Sequence, residues 1–148
     1  MSKRNWWIVG SAAVVVVVVV AVLGVVKLVR HAPSDCDTVH AMVAYNTQFD
    51  TAVQESANAG DPNGSSVAEY QKWAARLHEY AGQIKDSQLA QPANAVAGLA
   101  DQMVDVVPRV RAESAANSAN PPPSVAEYGR IGRDFHDNFA KLKNACPA

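Results

Sequence analysis

The chain has 148 residues, 13 Lys and Arg against 14 Asp and Glu, and only two cysteines. From Cys36 onward there are 13 acidic and nine basic side chains, and no basic face or run appears, which excludes a nucleic-acid partner. Motifs for haem attachment, zinc binding, phosphate-cradling loops and Ser/His/Asp catalysis are all missing from the sequence, so the composition points to binding rather than to an enzyme.

Residues 1–5 form a short stub, read as cytoplasmic, with no room for a signalling domain. Trp6 to Val26 follows, 21 residues without a charge and with seven consecutive valines from Val14 to Val20. At a helical rise of about 1.5 Å per residue this run reaches roughly 30 Å, the thickness of a bilayer's hydrocarbon core. In lipid a lone apolar segment can satisfy its amides only as a helix, so the sequence predicts one transmembrane helix and the lipid bilayer as a partner. A cleaved signal peptide has an apolar core of about 7–15 residues and a small-x-small site. Here a cut after Ala32 would put Arg30 where a small residue is required, so the anchor is expected to be retained. Lys3 and Arg4 balance Lys27 and Arg30, and the N-terminal amine tips the count toward a cytoplasmic N-terminus.

Residues 27–35 read as a linker and 36–148 as one extracytoplasmic domain, long enough to bury a core. Cys36 and Cys146 lie outside any CxxC or His/Cys cluster, and are read as one disulfide in an oxidising compartment. The fold class is all-α: an up-down-up-down four-helix bundle. Helix one is expected over 36–57, with an apolar stripe of Val39, Met42, Val43, Phe49 and Val53 interrupted by Asn46. A Gly/Pro loop follows, containing Asn63-Gly64-Ser65, a three-residue glycosylation sequon.

Helix two opens on the capping box Ser66-Val67-Ala68-Glu69 and carries Val67, Tyr70, Trp73, Leu77, Ala81 and Ile84. Helix three is expected to hold Pro92 in its first turn, and Pro108 is expected to kink or end it. After the Pro-rich loop 117–123, helix four opens on Ser124-Val125-Ala126-Glu127-Tyr128, the pentapeptide that also opens helix two. A shift of 58 residues pairs these strings, and also Trp73 with Ile131, Leu77 with Phe135, His78 with His136 and Ile84 with Leu142. The domain therefore reads as two duplicated helical hairpins. In such a bundle Cys36 and Cys146 fall at the same end, next to the anchor, where a bridge is geometrically natural.

His40, His78 and His136 lack the Glu-x-x-His pairing of helical di-metal bundles, and neither a metal nor a cofactor is expected. Tyr70, Trp73, Tyr128 and Ile131 are the candidate contact residues for a partner or ligand. Two functions are expected of such a chain. The first is an accessory or scaffold subunit of an envelope membrane complex, with other envelope membrane proteins as partners. The second is a small-molecule or lipid-binding module using a cleft between the two hairpins.

Overall fold

The computed structural model describes residues 33–59, 65–116 and 121–147. The expected stub, the apolar span 6–26, most of the linker and the sequon at Asn63 lie outside the described residues. Four helices make up the domain: α1 (Asp35–Asn58), α2 (Val67–Gln83), α3 (Ser87–Ala116) and α4 (Pro123–Ala145). Among the described residues no helix is long and apolar enough to cross a membrane.

Contacts at the two ends order the helices alternately. At one end, called the base below, Cys36 at the start of α1 is joined to Cys146 just beyond α4, with 5.3 Å between their Cα atoms. Asp35 Oδ2 accepts from the backbone amides of Lys85 (3.2 Å) and Asp86 (2.7 Å) in the α2–α3 connection. His40 Nε2 donates to the Cys146 carbonyl at 2.9 Å. At the opposite end Arg111 of α3 donates to the Ser65 carbonyl, and Arg109 pairs with Glu127 of α4 at 3.0 Å. Each helix thus runs antiparallel to its chain neighbours, and α1 and α4 close the ring.

The helices do not share the core equally. α3 supplies Ala93, Val96, Ala97, Ala100 and Val106, all fully buried, and its small side chains let α2 and α4 pack closely on either side. α2 contributes Trp73, Ala74, Leu77 and Ala81, and α4 contributes Ile131, Phe135, Phe139 and Leu142. α1 buries only Thr38, Val39 and Met42, all within its first turns. Complete burial of a Val or Met side chain is worth about 1.5–3 kcal/mol. Two such residues hold α1 weakly, so the disulfide and the hydrogen bonds at the base carry much of its attachment. Farther along α1, Val43, Phe49 and Val53 pack only partly against the core.

Three local expectations are corrected. α3 starts at Ser87 rather than near Pro92, because Asp86 caps it: Oδ1 accepts from the amides of Gln88 (2.8 Å) and Leu89 (3.3 Å). Pro92 accordingly sits in the second turn. Pro108 does not end α3, which continues to Ala116. A proline removes one helical hydrogen bond. Pro108 is exposed, and the buried Val106 and Val107 immediately before it hold the segment in place.

The third correction concerns the repeated pentapeptide. Ser66 caps α2 as expected: its Oγ accepts from Glu69 N at 3.2 Å, and the Glu69 carboxylate accepts from Ser66 N. At α4 the preceding prolines start the helix two residues earlier relative to the repeat, with Pro122 at the cap and Pro123 in the first helical position. Ser124 is therefore inside the helix, 1% exposed, and among the described residues its Oγ has no hydrogen-bond partner. Replacing Ser66 by Ala should cost about 1 kcal/mol. Ser124→Ala removes an unsatisfied buried hydroxyl and should be neutral or stabilising. Parallel thermal melts of the two variants check this, and equal losses would contradict it.

Candidate functional site

Because α1 is secured at the base and loosely packed beyond it, a groove opens between α1 and α4. Its volume is about 580 Å³, within the range of about 300–1,000 Å³ typical of small-molecule sites. One wall is α1, with Val43, Phe49, Asp50 and Val53; the other is α4, with Tyr128, Phe135, Phe139 and Lys143. Tyr70 and Trp73 of α2 and Met103 of α3, with the rings of Phe49, Phe135 and Phe139, form the floor.

The floor is a continuous aromatic cluster. Phe49 stacks on Trp73 with ring centroids 4.8 Å apart and planes 13° apart. Tyr70 meets Phe49 edge-on at 5.1 Å, and Trp73 continues through Phe135 (5.5 Å) to Phe139, itself 4.9 Å from Phe135. Such pairs each contribute about 0.5–1.5 kcal/mol beyond their buried area.

A polar thread crosses the cluster. Trp73 Nε1 donates to Asn46 Oδ1 at 3.1 Å, and Asn46 Nδ2 donates to Asp50 Oδ2 at 2.9 Å. This explains why an asparagine interrupts the apolar stripe of α1: it satisfies a buried indole. Burial pushes the Asp50 carboxyl upward, and the Asn46 hydrogen bond opposes that shift.

Tyr70 is 7% exposed. Burial, followed by the charge and hydrogen bond of the adjacent Tyr128 hydroxyl, pushes its phenol up to about 12. An unfolded tyrosine ionises near pH 10. Tyr70's share of stability is therefore complete below pH 10 and is lost as pH rises from 10 toward 12. Ultraviolet titration should show a late-ionising tyrosine that Tyr70→Phe removes. A titration unchanged by that substitution would contradict the placement.

The structure brings together three of the four candidate contact residues, Tyr70, Trp73 and Tyr128, and seats them in the groove. Ile131 is placed elsewhere: it is 1% exposed, part of the core, and does not line the groove. Cys36 and Cys146 form the expected disulfide. His40, His78 and His136 have separate surroundings: His40 at the Cys146 carbonyl, His78 with Nε2 2.8 Å from Asp101 Oδ2, and His136 on the groove wall. Among the described residues no group of three or more His, Cys, Asp or Glu side chains is placed to hold a metal ion.

Sequence reasoning missed Met103, Gly132, Phe139 and Lys143 as site residues. A signal for part of this was present. Tyr128, Gly132, His136, Ala140 and Asn144 form one i, i+4 row along α4, and every one of them lines the groove. The small residues at 132 and 140 leave space that longer side chains would fill. The chain matches no family model, no curated protein and no solved structure.

Proposed function

We propose that this chain is a membrane-anchored, extracytoplasmic helical binding module, with the 6–26 segment as its anchor and the groove between α1 and α4 as its working surface. Of the two functions expected from the sequence, the geometry favours the second, a small apolar or lipid-like ligand held in a cleft. The observation that carries this is the aromatic floor of Phe49, Tyr70, Trp73 and Phe135, left open by the light packing of α1. The cleft lies between the first helix of one hairpin and the last helix of the other. Duplication of the hairpins is part of this reading. Tyr70 and Tyr128, Trp73 and Ile131, Leu77 and Phe135, Ala81 and Phe139, and Ile84 and Leu142 all stand 58 residues apart, and every member is at least partly buried.

Size separates a small ligand from a protein partner. From Tyr128 to Asn144 the α4 wall is roughly 24 Å long at helical rise. A partner helix about 10–12 Å across would occupy on the order of 2,000 Å³ over that length. A groove of about 580 Å³ leaves most of such a helix outside, but suits a single extended chain. The accessory-subunit reading rests on the anchor.

One experiment compares the two. The full-length tagged chain and its Gly132→Leu variant are extracted in native lipid discs, and bound lipids and proteins are identified by mass spectrometry. A Cβ at Gly132 meets nothing closer than Met103 Cε at 4.0 Å, so the variant should fold while filling the groove. The binding-module reading expects a small molecule enriched on the wild type and lost from the variant. A stoichiometric set of membrane proteins retained by both, with no enriched small molecule, would instead establish the accessory subunit.

A further inference from the structure

The groove is electrically lopsided, and this narrows the ligand. At the end away from the base, Asp50 already receives the Asn46 amide, and the Arg111 guanidinium lies over the Tyr70 ring at 5.9 Å. The ring faces there are packed on one another, so no open aromatic box awaits a cation. Toward the base the α4 wall carries Lys143, and His136 stands midway along it. Lys143 is exposed and makes no ion pair among the described residues. No carboxylate lines that part of the groove, since Asp50 is the one acidic residue among the lining side chains.

Resting on the groove as the working surface, we propose that its occupant is a single-chain amphiphile with an anionic head. The head is held at the base by Lys143, with Asn144 beside it. The chain lies along Phe139, Phe135 and Phe49 toward Tyr128. A cationic head would leave Lys143 uncompensated and sit beside a second positive charge, so charge complementarity selects the acid. The aliphatic stretch suits the apolar floor, where removal of hydrocarbon from water supplies the driving force. The Lys143 ammonium supplies a charge-assisted contact to a carboxylate at a rim that water still reaches.

The test uses the full-length protein in lipid discs and three long-chain photoreactive probes, identical except for a carboxylate, an alcohol or a trimethylammonium head. Each carries its diazirine at the methyl end, and cross-linked peptides are mapped by mass spectrometry. The carboxylate probe should label peptides containing Phe49, Val53 or Tyr128, about tenfold more than the other two probes do. Lys143→Glu should abolish that preference, and Gly132→Leu should remove groove labelling by every probe. Equal groove labelling by all three heads, unaffected by Lys143→Glu but lost in Gly132→Leu, would overturn the anionic-head assignment and leave the groove reading standing. Preference for the ammonium probe would overturn it likewise. Labelling confined to residues 6–26, or unchanged in Gly132→Leu, would overturn both.

Discussion

Reduction of the Cys36–Cys146 bridge, or replacement of both cysteines by serine, should lower the stability of the domain by about 4–5 kcal/mol, the chain-entropy value for a loop of this size. The bridge spans 110 residues and encloses all four helices. Small domains have a total stability of about 5–15 kcal/mol, so a third or more would be lost. The loss should also be uneven. α1 is joined to the remainder by Val39 and Met42, by the base contacts of Asp35 and His40, and by the partly exposed contacts of Asn46 and Phe49 with Trp73, whereas α2, α3 and α4 share a continuous core. Cys146 also presents the carbonyl that His40 binds, so freeing the bridge loosens two attachments together. Urea unfolding with and without reductant measures the total. Amide exchange should show α1 losing protection first while α2 to α4 stay protected. Equal loss of protection in all four helices would show that α1 is as firmly packed as the others.

Trp73→Ala should be the most damaging single substitution in the core, costing about 3–5 kcal/mol. Trp73 is 2% exposed and joins three helices: it stacks on Phe49 of α1, meets Tyr70 of its own helix, and packs against Phe135 of α4. Removing the indole opens a cavity under the groove and leaves Asn46 Oδ1 without its donor. Trp73→Phe retains most of the ring contacts but still orphans Asn46, and should cost noticeably less. Asn46→Ala in the Trp73→Phe background should then add little, because the partner is already gone. Chemical denaturation of the wild type, Trp73→Phe, Asn46→Ala and the double variant checks this, and additive losses from the two sites would contradict the hydrogen bond.

The core was legible in the sequence wherever a helix carries a wide apolar stripe. Tyr70, Trp73, Leu77 and Ala81 of α2 and its C-cap Ile84 follow the period of the apolar stripe and are buried, and the capping box marks the start of α2. The bridge was legible because only two cysteines exist and an antiparallel bundle places them at one end. Where local signals competed, the reading slipped. Proline favours the first helical turn, which points to Pro92, but Asp86 offers a stronger cap one turn earlier. The second pentapeptide was expected to repeat the first, yet the prolines before it move the helix start and turn Ser124 inward.

The groove was only half legible. Tyr70 and Tyr128 stand out by their recurrence, and Trp73 by its place flanking the apolar stripe. Their opening toward solvent depends on how far α1 stands from α4, and that separation is set by tertiary packing. The narrow stripe of α1, broken at Asn46, was the one sequence trace of it. Ile131 shows the opposite failure: equivalence to Trp73 suggested a shared surface, but the branched side chain is fully enclosed.

The most direct test of the groove as the working site is the NMR signal of the Trp73 indole Nε1–H in the full-length protein, followed while a long-chain fatty acid is titrated in. This proton lies in the groove floor, bonded to Asn46, and is distinct from those of Trp6 and Trp7 in the apolar segment. The account predicts a saturable shift of the Trp73 resonance in the wild type and none in Gly132→Leu. A titration that moves only the Trp6 and Trp7 resonances, or moves Trp73 equally in both proteins, would contradict it.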